Sequence, residues 1–144
     1  MGTPVKVELW ARTPEAAEAA MAAVMVEMHR IDHAMSPHKA ASELSCINRE
    51  AAFGPVSVSE EMYRLIERSL EFSRLSKGAF DITYAAAGQL YDYRQGVRPD
   101  EEALRRAREA IGWKNLVLDP REYTVRFARV GMRIDLGGFA KGHA

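Results

Sequence analysis

The sequence predicts an α+β fold in which amphipathic helices pack on a mainly antiparallel sheet, and three observations carry that expectation. Capped stretches with helical spacing recur through the first two thirds of the chain, two strand-like runs flank a turn near residue 120, and the order of strand, helices and clustered strands lacks a regular βαβ alternation. Composition agrees: 144 residues, 47% hydrophobic and 28% charged, with ten glycines and six prolines, describe one ordinary globular domain and not a low-complexity chain.

Each element has its own signal. Val5, Val7 and Leu9 alternate with Lys6 and Glu8, so the chain is expected to begin with a half-buried strand. Thr13 offers an N-cap, Pro14 suits the first helical position, and Glu15 sits where the helix dipole favours a carboxylate. Ala17, Met21, Val24, Met28, Ile31 and Met35 then recur at alternating spacings of four and three, which places them on one face. Pro37 ends that helix, because it has no N–H to donate and pushes the residue before it toward an extended conformation, and residues 36–41 read as a loop. Ser42 is placed to cap a short helix. Ser57 with Glu60, or Ser59 in its place, caps a second long amphipathic helix carrying Met62, Leu65, Ile66, Leu70 and Phe72 and closing near Gly78. A third starts at Asp100 after Pro99, turns Leu104, Ala107 and Ile111 inward, and stops at Gly112. Residues 116–118 and 124–127 flank Asp119-Pro120-Arg121-Glu122, a hairpin pattern that Met132 and Ile134 extend.

Charge and cysteine content exclude several functions. Lys plus Arg number 20, as do Asp plus Glu, so the formal net charge is zero and the overall basic field of a nucleic-acid binder is missing. Cys46 is the only cysteine, which excludes an internal disulfide and a thiolate zinc site. The longest apolar-rich stretch, residues 16–28, contains Glu18 and Glu27 and follows the helical period, so it reads as neither a membrane span nor a signal peptide. With no export signal the chain as given is expected in the cytoplasm, or in the periplasm or attached to the inner membrane if its N-terminus was trimmed.

Two segments are candidates for ligand chemistry. In Asp135-Leu136-Gly137-Gly138-Phe139-Ala140-Lys141-Gly142, adjacent glycines allow close backbone approach, N–H groups at a helix start face an anion, and Lys141 adds positive charge. The spacing matches neither GxGxxG nor GxxxxGK, and a plain tight turn is the alternative. In Gly78-Ala79-Phe80-Asp81-Ile82-Thr83 a helix stop precedes a small-aromatic-acid run suited to a heterocycle; alternatively Phe80 fills core and Asp81 caps the next element. His38, in the loop after Met35-Ser36-Pro37, is either a ligand contact or simply solvated. His29 and His33 have metal-ligand spacing but Arg30 where the metalloprotease pattern needs glutamate, so they read as surface histidines.

Taken together and in order, Met1-Gly2-Thr3, Met35-Ser36 with Ser42-Glu43-Leu44-Ser45, Ser76-Lys77-Gly78-Ala79-Phe80-Asp81 and Asp135 through Gly142 resemble the segments of the flavin transferase family called ApbE, over nearly the whole chain. The resemblance implies an ApbE-like α+β fold and a Mg²⁺-dependent enzyme that transfers FMN from FAD to a threonine hydroxyl of a target flavoprotein and releases AMP. It implies FAD contacts at Met1, His38, Ala79, Phe80, Asp81, Asp135 and Lys141, and a backbone-carbonyl metal ligand at Gly138 or Ala140, with Ala140 preferred. Cleaving a pyrophosphate develops charge on phosphoryl oxygens, which N–H groups, a lysine and a divalent cation stabilise.

Two departures qualify the resemblance. Many members carry Gly-Pro-Leu and Asn-Leu-Trp after the Gly-Ala-Phe-Asp run, where this chain has Ala86-Ala87-Gly88-Gln89-Leu90-Tyr91-Asp92-Tyr93. The family's second half, which completes the Mg²⁺ site, lies outside these residues, and Mg²⁺ needs near-octahedral oxygen coordination. Residues 1–144 are therefore expected to be the N-terminal portion of one transferase domain, truncated at its C-terminal end and a poor catalyst alone, with its catalytic residues unassigned; a non-catalytic FAD-binding module is the alternative. The implied partners are the flavin dinucleotide, an acceptor flavoprotein, and either a complementing C-terminal fragment or a second copy of the chain.

Overall fold

Helix α1, Pro14–Met35, opens as its sequence dictates: Thr13 is extended and its hydroxyl accepts the Ala16 N–H, with proline in the first turn. The structure, a computed structural model, describes residues 5–144. Ser42 caps α2, Glu43–Glu50, through the Ser45 N–H. The short strand β1, Val56–Ser57, precedes α3, Glu60–Leu75, which takes Ser59 as its N-cap because Ser57 is engaged in the strand. A 3-10 turn, Ile82–Tyr84, runs into α4, Ala85–Gly88, and Asp100 caps α5, Glu101–Glu109. A second 3-10 turn, Trp113–Asn115, leads into β2, Leu116–Asp119; β3 is Thr124–Phe127 and α6 is Ala140–His143.

The fold is α+β, with a three-stranded antiparallel sheet in the order β1-β3-β2. Val125 sits between Val56 and Leu118, and Phe127 faces Leu116, so the inward side of β3 carries Val125 and Phe127, both essentially buried. Against it pack Ile31 and Met35 from the end of α1, Leu44 and Ile47 from α2, and Met62, Leu65 and Ile66 from α3. Ile47 is fully buried, so Ile47→Ala is expected to cost about 2–5 kcal/mol.

Several expectations fail for identifiable reasons. Residues 5–12 form no strand: alternation needs a neighbouring strand to bond to, none among the described residues pairs with them, and Val5 stays half exposed. Met132 and Ile134 are buried without joining the sheet, because the Asn48 side chain replaces a strand partner, donating to the Ile134 carbonyl (2.9 Å) and accepting its N–H (2.8 Å). Helix α5 ends at Glu109, before Gly112, and buries none of its residues; Leu104, Ala107 and Ile111 are only half-buried. Of the long stripe on α1 only Ile31 and Met35 reach the core, while Met21 is 38% exposed and Val26, off that stripe, 68%. At about 1.5 Å per residue α1 is about 33 Å long, so its exposed first half lies far from the buried last turns that carry Ile31 and Met35. Among the described residues no helix is long and apolar enough to cross a membrane.

Candidate functional site

The first wall of the site is the loop after α3. Ser76 Oγ accepts the Phe80 N–H (3.0 Å), and the Gly78 N–H donates to the Ser73 carbonyl (2.8 Å), closing the helix and aiming the loop. Asp81 then fixes the turns on either side of the wall. Its Oδ1 accepts the Thr83 N–H (2.8 Å) and hydroxyl (2.6 Å), and its Oδ2 accepts the Trp113 N–H (3.0 Å). The buried Thr83 hydroxyl oxygen accepts the Gly112 N–H in turn (2.8 Å), so one carboxylate locks two 3-10 turns together. The capping role read from the sequence is therefore present.

The second wall is residues 135–142. The Asp135 N–H donates to the Ile82 carbonyl (3.0 Å), tying this segment to the first wall. Asp135 Oδ1 accepts the Gly137 N–H (2.5 Å), and a Cβ at residue 137 would stand 2.9 Å from that oxygen. Glycine is needed there for the turn to close on its own carboxylate. Leu136, buried, accepts the Phe139 and Ala140 N–H groups (2.8 and 2.7 Å), and Phe139 packs on Phe80 and Phe72 with ring centroids 5.3 and 5.4 Å apart. Gly138 lies against Phe80, whose Cε2 would be 3.6 Å from a Cβ at that position.

Between these walls is an open chamber of about 420 Å³ lined by Ala79, Phe80, Asp81, Tyr84, Asp135 and Gly138. A second chamber of about 370 Å³ is lined by His38, Tyr84, Gln89, Tyr93, Arg133 and Asp135 among others. Tyr84 and Asp135 line both, so the two chambers lie side by side and share an aromatic ring and a carboxylate. Partial desolvation of Tyr84, which stays half exposed, and secondarily the Asp135 carboxylate push the phenol pKa up, so the hydroxyl keeps its proton as an O–H donor. An elongated ligand with flat rings and polar linkers fits such a pair of chambers: aromatic faces stack the rings, and Arg133, His38 and the corner backbone meet polar atoms.

The structure brings together Ala79, Phe80, Asp81, Asp135 and Gly138 in the first chamber and His38 in the second. Lys141 is exposed and lines neither; Met1 lies outside the described residues. The corner differs from its sequence reading in one respect, because it does not begin at a strand end and its Gly137, Phe139 and Ala140 N–H groups are already bonded internally. Ala140 is buried and its carbonyl accepts the Ala144 N–H (3.1 Å), whereas the Gly138 carbonyl accepts no hydrogen bond among the described residues. His33 Nδ1 lies 3.2 Å from the His29 carbonyl oxygen and 3.4 Å from Lys39 Nζ, and no cluster of three or more His, Cys, Asp or Glu side chains suited to a metal occurs among the described residues. Sequence reasoning missed Tyr84 and Arg133. Tyr84 is three residues after Asp81, one 3-10 turn on, which is the signal that it shares the Asp81 side of the loop.

The pattern of the ApbE family matches residues 1–144. An FAD:protein FMN transferase of Treponema pallidum (strain Nichols) is 30% identical over 99% of this chain and 41% of that protein, and one of Chlamydia muridarum is 31% identical over 72% and 33%. Among solved structures, the ApbE protein of Thermotoga maritima superimposes with a TM-score of 0.80 at 32% identity, covering 88% of this chain and 41% of that one. The apo flavinyl transferase ApbE of Pseudomonas stutzeri gives 0.78 at 24% identity, a likeness of fold. The chain thus spans less than half the length of these relatives.

Proposed function

The chain belongs to the ApbE family, and on that premise we propose that it supplies the dinucleotide-binding groove of an FAD:protein FMN transferase. The observation that carries this reading is the juxtaposition of the 79–81 loop with Asp135 and Gly138 around one chamber, which shares Tyr84 and Asp135 with a second beside it. FAD has two flat ring systems joined by a pyrophosphate, and two adjoining chambers that share a carboxylate suit that shape. In this reading Ala79, Phe80 and Asp81 form the wall against one ring system, His38 and Arg133 reach the other half, and Asp135 orients polar atoms between them. Lys141, exposed at the rim, contributes positive charge near the pyrophosphate from outside the chambers.

Mg²⁺ takes oxygen ligands in near-octahedral array, and the residues present fit part of such a set. The unbonded Gly138 carbonyl is better suited as a ligand than that of Ala140, which already accepts a hydrogen bond. When bound, the cation would neutralise charge developing on the phosphoryl oxygens. The remaining ligands, the FMN transfer to an acceptor threonine and the release of AMP fall to polypeptide equivalent to the rest of the relatives' length. The exposed apolar residues of α1 are consistent with a surface covered by that polypeptide or by a second copy of the chain.

Titration of the chain with FAD and Mg²⁺, followed by flavin fluorescence, is expected to show saturable binding. Mass spectrometry of a threonine-bearing acceptor incubated with this chain alone is expected to show no FMN adduct. Absence of saturable binding would overturn the groove assignment, and an adduct would overturn the division of labour.

A further inference from the structure

The acidic side chain of Glu61 sits at a junction for which the flavin chemistry has no evident use. Its Oε2 and Oε1 accept Arg30 Nη1 and Nη2 at 2.6 and 2.7 Å, and His143 Nε2–H donates to Oε1 at 2.7 Å. Arg30 is itself held by Glu27 through Nε (2.9 Å) and Nη2 (2.7 Å). One carboxylate therefore joins α1, α3 and α6. Glu61 and Phe72 are eleven residues apart on α3, three turns of helix, and so share a face. On that face Phe72 meets Phe139 at 5.4 Å, with the Arg68 guanidinium 5.1 Å from the Phe72 ring on its own helix. Residues 139–143 are thus gripped at both ends by one side of α3, and that segment sets where Gly138 stands against Phe80.

We propose that Glu61 is a positioning residue for the glycine corner: together with Phe72 it clamps α6 so that residues 137–139 stay beside the 79–81 loop. The proposal rests on the flavin reading only for its effect on ligand affinity. The bidentate Arg30–Glu61 pair fixes the carboxylate that His143 meets, and bidentate guanidinium pairs are among the stronger charged contacts.

The test is amide exchange at residues 142–144, whose N–H groups donate to the Phe139 and Ala140 carbonyls, alongside FAD titration. Glu61→Gln and His143→Ala are each expected to speed that exchange about fivefold, while amides of β3 are unchanged, and the double variant is expected to be no faster than either single one. The FAD dissociation constant is expected to rise by a similar factor in Glu61→Gln, and Glu61→Asp, which keeps the charge, is expected to bind FAD more tightly than Glu61→Gln. Unchanged exchange in Glu61→Gln, or effects that simply add in the double variant, would overturn the clamp. If the unsubstituted chain does not bind FAD, the flavin reading fails and the exchange data alone decide the clamp.

Discussion

The two walls of the groove are built by opposite means. The loop at residues 78–84 is fixed by one of its own side chains: Asp81 accepts three hydrogen bonds, two from a residue two positions away and one from Trp113, and both its oxygens are engaged. The corner at residues 135–142 turns on Asp135 and the Leu136 carbonyl, but its place against the first wall is set from elsewhere, through Ile82, Phe80, Phe72 and Glu61. The difference separates roles. A wall whose polar atoms satisfy each other carries stability, and a wall held from outside can be shifted without unfolding the rest, so ligand affinity is more sensitive there.

That contrast orders the expected effects. Asp81→Ala strips three hydrogen bonds from one side chain and should destabilise the chain by about 2–4 kcal/mol in urea unfolding, the largest effect at either wall. Gly137→Ala places a Cβ 2.9 Å from Asp135 Oδ1; FAD affinity should fall about tenfold while unfolding shifts by no more than about 1 kcal/mol. If the two variants exchanged these signatures, the division between walls would be wrong.

A smaller effect is acid-dependent. Hydrogen bonds from Arg30 first, and from His143 second, hold Glu61 down to about 2 from an ordinary value of 4.5. A carboxyl whose folded value is depressed stabilises the fold above its unfolded value and loses that contribution as pH falls toward the folded one. Ordering of residues 139–144 should therefore weaken between pH 4.5 and about 2, by less than the shift alone would suggest because Glu61 is about a third exposed. The Glu61→Gln chain, tracked by amide exchange over the same range, should lack that step. Smallest of all, Lys141→Ala should leave unfolding within about 0.5 kcal/mol, with FAD affinity reduced only about threefold, since an exposed charge outside the chambers acts through screened solvent.

The range of each interaction decides how legible it is in the sequence. Helices α1, α2, α3 and α5 are readable because Thr13, Ser42, Ser59 and Asp100 bond to N–H groups three residues on, and the hairpin because its turn chemistry is local. Residues 5–9 and 132–134 carry the β pattern without its outcome, because a strand exists only through a partner, and in the second case a side chain from residue 48 takes that place. The 79–81 loop and the 135–142 corner are visible as separate motifs. Their meeting is not, because it depends on the Asp135–Ile82 bond and on edge-on and tilted contacts between phenylalanines distant in the chain. Phe72 shows the same limit: its spacing suggests core, yet it is 41% exposed and serves as a seat for Phe139.

The central claim is that both walls address one dinucleotide, and backbone NMR of the chain during FAD titration tests it directly. The amides of residues 79–81 and of 135–139 should shift together and saturate at a single dissociation constant, with Gly137→Ala weakening both responses equally. Shifts confined to one segment, or two segments saturating at different FAD concentrations, would contradict it.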